Sequence, residues 1–166
     1  YQPMQLETDL LSGKLDAAII YGASGCCRAD IEYLPFLKIP YSLIYCKDHR
    51  LASLKAVQIS DLSGEKLLCP ERTFEINHAG DILMSMLEEG GAHIAEKIMI
   101  NNYDEVPWIM EETGAVYISP MVNNNAYGSN TEYRFLLPES YYSDVSAVWL
   151  SENNNTAVNI LCSVIK

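Results

Sequence analysis

The run LLSGKLDAAII, Leu10 to Ile20, decides how the chain is read. Just upstream, Met4, Leu6, Leu10 and Leu11 can share one side of a helix, which would turn Glu7 and Asp9 to water. Gly13 marks the stop, because glycine enters the left-handed C′ conformation without strain. Lys14 beyond it suits the negative end of the helix. Leu15 returns to the core, and Ala17-Ala18-Ile19-Ile20 is a short unbroken apolar run with a Gly22-Ala23-Ser24-Gly25 turn behind it. Such a run reads as a buried strand of a parallel sheet. Helix, stop and strand make half of a βαβ unit, so a further strand is expected before Tyr1.

Composition bounds what this unit can belong to. The 166 residues make one domain, or two small lobes sharing crossovers. An apolar content of 49% with 20% charged residues supports a packed core. The net charge of −11 repels phosphate backbones, so this segment is a poor candidate for touching DNA itself. No apolar run approaches the roughly 20 residues of a membrane span, and no basic-plus-apolar leader opens the chain. A start inside a helix is expected to be a fragment boundary. The cysteines Cys26, Cys27, Cys46, Cys69 and Cys162 are odd in number and contain no CxxC, which suits reduced cytoplasmic thiols rather than a disulfide framework.

Downstream, Ile31 to Leu37 reads as a strand whose Pro35 places it at an edge or a change of direction. Tyr41 to Cys46 is a second strand beyond Pro40. Lys66 to Cys69 is a strand, and Thr73 can cap a helix from Phe74 to about Glu89, with Ile76, Gly80, Leu83 and Leu87 on one stripe. Ile82, Met84 and Met86 widen that apolar surface, as core filling or as a dimer face. Ala95 to Ile100 is another strand. The helix after it starts where Pro107 falls in its first turn, which favours Asp104 as the cap and leaves Asn102 in the loop. Ala115 to Ile118, Glu132 to Leu137 and Ser146 to Leu150 complete the strands. Asn154 or Asn155 caps a last helix carrying Val158, Leu161, Cys162 and Ile165 on one face.

The pattern L-x-x-G-x-L-D-x-A-I at Leu10 to Ile19 resembles the end of the first helix and the next strand in the effector-binding domain of LysR-type transcriptional regulators. Asp48-His49-Arg50-Leu51-Ala52 resembles their D-H-P-L-A run, with Arg50 in place of proline. Ile59 to Leu62 matches I-x-D-L, Tyr103 to Pro120 matches their helix, glycine and strand with Ala115 where a second glycine is usual, and Ser146 to Leu150 matches S-x-V-W-L. The order is kept from Leu10 to Ile165. The resemblance implies an α/β, two-lobed fold of the periplasmic-binding-protein type 2 kind, each lobe a doubly wound sheet, joined by two crossover strands. Lobe I would hold residues 1–37 and 137–166, with its first strand missing upstream, and lobe II residues 38–136. A small-molecule cleft between the lobes, side-by-side dimers or tetramers, and an N-terminal helix-turn-helix outside this chain are also implied.

Catalytic chemistry is not evident. Gly22 to Cys26 falls one residue short of the nucleophile elbow G-x-S-x-G. His49, His78 and His93 lack metal-ligand spacing and read as surface or loop residues. Glu88-Glu89 and Glu111-Glu112 read as solvated faces. Cys69 beside Arg72 could have a lowered thiol pKa and sense oxidants. No enzyme activity, cofactor, metal or membrane partner is expected. In doubly wound sheets ligands bind beyond the carboxyl ends of strands, which selects Tyr21, Gly22 and Ser24; Cys69, Pro70, Arg72 and Thr73; and Asn101, Asn102 and Tyr103. Helix N-termini at the second and third ends, with Arg72, suit an anion such as a carboxylate. The expected function is therefore effector binding and oligomerisation in a cytoplasmic transcriptional regulator. A transporter's solute-binding protein and an enzyme on the same two-lobed fold are the alternatives.

Overall fold

The computed structural model describes residues 3–23, 28–70, 79–120, 127–138 and 141–165. Two compact units result, one comprising Tyr1–Lys38, Arg72–Ile82 and Ser143–Lys166, the other Ile39–Glu71 and Leu83–Tyr142.

In the first unit the opening helix α1 runs Pro3–Leu11. It stops as expected, with Gly13 at φ +73° and its N–H donating to the Leu10 carbonyl at 3.0 Å. Asp9, expected to face water, is instead only 3% exposed. Lys14 Nζ stands 3.0 Å from Asp9 Oδ2, and Gln5 Nε2 donates to Oδ1 at 2.7 Å. The lysine thus serves the buried carboxylate rather than only the helix end, because a carboxylate removed from water must be paired. Leu10 packs with Ala18, Ala23, Ile31 and Val148, and Leu6, Leu11 and Leu15 flank this core.

Strand β1, Ala18–Tyr21, pairs antiparallel with the later strand β9, Tyr142–Leu150, in the register Ala18↔Val148 to Tyr21↔Val145. Between them in sequence comes β2, Ile31–Pro40, and the sheet order is β1-β9-β2. Among the described residues the partner of β1 is the antiparallel β9, and the full burial expected for Ala17 to Ile20 is corrected, Ile19 being 54% exposed. A four-residue apolar run encodes a strand but not its neighbour. Pro35 lies, as anticipated, in a strand at an edge. Helix α4, Thr156–Val164, is capped by Asn155, whose Oδ1 accepts from Ala157 N at 2.9 Å.

The second unit is built on a six-stranded mixed sheet. Its members are β3 (Ser42–Cys46), β4 (Val57–Gln58), β5 (Lys66–Pro70), β6 (Glu96–Ile100), β7 (Val116–Ser119) and β8 (Thr131–Leu137). Their order is β4-β8-β3-β7-β5-β6. All five residues of β3 are buried. Because side chains alternate along a strand, Leu43 and Tyr45 join a core on one face with Leu51, Leu62, Leu67, Leu87 and Leu136. Ile44 and Cys46 join a second core with Leu68, Val106, Met110 and Tyr117 on the other.

Helix α2, Ala79–Glu89, covers the first of these faces through Leu83, Met86 and Leu87; Thr73, Phe74 and Ile76, its expected start, lie outside the described residues. Met86 is a core residue, Met84 is packed part-buried against that core, and Ile82 is exposed. Helix α3, Val106–Thr113, covers the other face and stops at Gly114. His49 is a capping residue rather than a surface one. Its Nδ1 accepts from Leu51 N at 3.3 Å and its Nε2 lies 3.1 Å from Glu65 Oε2. Glu65 is itself buried and ion-paired with Arg50.

Gly90 separates two effects of a methyl group. A Cβ there would stand 2.9 Å from the Ile59 Cβ, whereas at Gly80, on α2, no atom of the described residues lies within 4 Å. Gly90→Ala should destabilise by about 1–3 kcal/mol through overpacking. Gly80→Ala should stabilise by about 0.4–1 kcal/mol through the unfolded chain. Urea midpoints of the two variants check both signs.

Candidate functional site

The residues selected from sequence fall in two groups, one in each unit. In the first unit Tyr21 and Gly22 end β1. Gly22 is at φ +71°, and its N–H donates to the Asp144 carbonyl at 2.9 Å. That carbonyl belongs to a residue whose side chain sequence reasoning missed. Asp144 is 6% exposed and Ser146 fully buried, and the Ser146 hydroxyl donates to Asp144 Oδ2. The two alternate on one face of β9, as an i, i+2 pair must. Ser24 lies outside the described residues.

In the second unit the parallel pairing of β5 with β6 sets Pro70 opposite Ile100. Cys69 and Pro70 therefore share one sheet end with Asn101, Asn102 and Tyr103, as strand-end reasoning requires. Arg72 and Thr73 lie outside the described residues. Asn102 is not a loose loop residue. It caps a 3-10 turn, Tyr103–Glu105, its Oδ1 accepting from Asp104 N at 3.0 Å. Asp104 is accordingly not the cap expected for α3. Pro107 does fall in the first turn of that helix, where no hydrogen bond is lost.

β7 ends alongside them and adds hydroxyls that were passed over. Tyr117 and Ser119 point to the same face and hydrogen-bond through their side chains. Burial, reinforced by Tyr103 and Tyr127, holds the Tyr117 phenol well above its ordinary pKa, against the pull of Ser119. Burial also raises Tyr103. Both phenols are thus neutral hydrogen-bond donors at physiological pH. Ser42 stands opposite Ser119 across the antiparallel β3–β7 pair; it is fully buried, and among the described residues its hydroxyl has no hydrogen-bond partner. The sequence signal was the serine at each strand end, but their meeting depends on a register that no local pattern encodes.

The activation of Cys69 considered from sequence rested on Arg72, which lies outside the described residues. Burial pushes the thiol up, outweighing the opposing effect of Lys97. Cys46, Cys69 and Cys162 are free thiols. Among the described residues no group of three or more His, Cys, Asp or Glu side chains could hold a metal ion, and no helix is long and apolar enough to cross a membrane.

The description "LysR substrate binding domain" matches residues 2–165. No curated protein matches the chain. Among solved structures, the chain is similar to the reduced OxyR regulatory domain from Pseudomonas aeruginosa, with TM-score 0.68, 19% identity, and coverage of 98% of this chain and 76% of that one. It is similar to the Synechocystis PCC6803 CcmR regulatory domain in complex with 2-PG, with TM-score 0.73, 14% identity, and coverage of 98% and 79%. Full-length OxyR C199D from Pseudomonas aeruginosa matches with TM-score 0.68 and 18% identity over 98% of this chain but only 54% of that one. The chain thus spans about three quarters of isolated regulatory domains and about half of a full-length regulator. At these identities the likeness carries the fold alone.

The raised thiol makes a kinetic prediction. Because thiolate is the reacting form, alkylation of Cys69 by iodoacetamide should be slower than that of N-acetylcysteine at neutral pH. It should still be rising at pH values where the small thiol has levelled off. Mass-spectrometric rates per cysteine check this, and a plateau near neutral pH would contradict it.

Proposed function

The chain belongs to the LysR substrate-binding domain family, and from that premise we propose that it binds a small anionic metabolite and transmits its presence to a DNA-binding head. The observation that carries this reading is the family match over nearly the whole chain. The strand ends support the ligand class: Tyr103, Tyr117 and Ser119 supply neutral donors that suit carboxylate oxygens, and Arg72 with Thr73 would add charge and a hydroxyl. Tyr21, Gly22, Ser24, Cys69, Pro70, Asn101 and Asn102 complete the proposed contacts. A helix end contributes about 0.3–1 kcal/mol toward an anion, up to roughly 2 when partly buried; charge-assisted bonds to Arg72 would add about 1.5–3 kcal/mol. A solved relative carrying 2-PG is compatible with a small ligand in this fold. Asp144 beside Gly22 favours a second reading, in which the effector also carries an ammonium group, as an amino acid does.

The acidic surface leaves DNA to a helix-turn-helix elsewhere in the full-length protein, acting in the cytoplasm. Assembly as a homodimer or tetramer would set the spacing of two such heads, and effector binding would shift that geometry. The exposed apolar residues Ile82 on α2 and Met99 on edge strand β6 suit such a contact. Met86, being core, does not contribute to it.

Two measurements test these readings. In a thermal-shift screen of carboxylic acids, amino acids, neutral sugars and aromatics, acids or amino acids should raise the melting temperature. A ligand at about a hundredfold its Kd adds about 2.7 kcal/mol. Arg72→Ala and Thr73→Ala should remove the shift; shifts confined to sugars or aromatics contradict the anion. For assembly, light scattering should show a dimer that Met99→Asp and Ile82→Asp each weaken, and unchanged mass in both variants contradicts this interface.

A further inference from the structure

We propose that the outward face of α3 is a docking surface for a basic segment of a partner protein. The helix is two-sided: Val106 and Met110 are fully buried, whereas Trp108 between them is 63% exposed. Asp104 and Glu105 precede Trp108 by four and three residues, and Glu111 and Glu112 follow it by three and four. Within α3 Glu111 and Glu112 are at neighbour spacing to Trp108, Asp104 and Glu105 lie in the 3-10 turn that leads into the helix, and all four acidic residues are exposed. Asn130 Nδ2 donates to Glu111 Oε1 at 3.3 Å, which orients that rim carboxylate. Tyr103, 38% exposed, lies in the turn that leads into the helix.

An indole is the strongest aromatic face for a cation, and tryptophan and arginine are the residue types in which interface energy concentrates. A guanidinium or ammonium placed over Trp108 would have carboxylates of complementary charge on either side, and the segment's apolar side chains would cover the ring. Charge selects among occupants. Nucleic acid is repelled, and the same face of a second copy would place carboxylates against carboxylates. A segment that alternates Arg or Lys with apolar residues is the complementary partner.

The test uses the isotope-labelled full chain titrated with a short acetylated peptide alternating Arg and Leu, followed through the indole Nε1–H resonances. Two control peptides carry Ser or Glu in place of Arg. The Trp108 resonance should shift with the Arg peptide alone, and added salt should weaken the interaction. Trp108→Ala, and separately the pair Glu105→Gln with Glu112→Gln, should each weaken binding about tenfold, the scale of a central interface residue. Glu88→Gln with Glu89→Gln, exposed acids at the end of α2, should leave it unchanged. The altered side chains are exposed, so unchanged melting curves will show that the variants fold. Equal affinity in Trp108→Ala, equal binding of the Ser peptide, or no binding of the Arg peptide overturns the proposal. So does a smaller mass of Trp108→Ala by light scattering, which would mean that a second copy occupies the face.

Discussion

A strand buried on both faces must be covered on both faces, and β3 imposes that constraint on the second unit. Ser42, Leu43, Ile44, Tyr45 and Cys46 are all buried, so their alternation divides the apolar material into two cores. Their backbone groups also need partners on both sides, which β7 and β8 supply antiparallel. With β7 fixed, β5 pairs to it in parallel and β6 to β5. The carboxyl ends of these three strands then share one end of the sheet. The candidate residues of this unit thus sit together as a result of core burial, with no motif of their own.

The same geometry explains which readings succeeded from sequence. Gly13 was legible because a positive φ is a local demand that glycine meets, and it lies at +73°. Strand positions were legible because apolar runs between turn residues have few other solutions. What failed depended on contacts distant in sequence or on competition between neighbours. Asp9 looked solvent-facing until Lys14 and Gln5 closed on it. Asn102 and Asp104 both have cap chemistry, and only the backbone selected Asn102. The meeting of Ser42 with Ser119 is a matter of pairing, which local sequence does not specify.

Chemically, the two units offer different groups. Around the ends of β5, β6 and β7 the described side chains include hydroxyls, two amides and a thiol, and burial raises the Tyr103, Tyr117 and Cys69 groups. Beside Gly22 the group is a carboxylate held by Ser146. Neutral donors bind acceptor oxygens with directionality and without the desolvation cost of a buried cation. That chemistry suits the proposed recognition of a small polar molecule. Cys69, at the end of β5, has its thiol pushed up by burial.

The central claim, that a metabolite is bound at these strand ends, is tested most directly by hydrogen–deuterium exchange. The chain would be compared with and without the acid or amino acid that stabilises it most in the thermal screen. The account predicts slowed exchange confined to peptides covering Tyr21 and Gly22, Cys69 to Thr73 and Asn101 to Tyr103, with α4 unchanged. Protection concentrated on α4, or spread evenly over the chain, would contradict it.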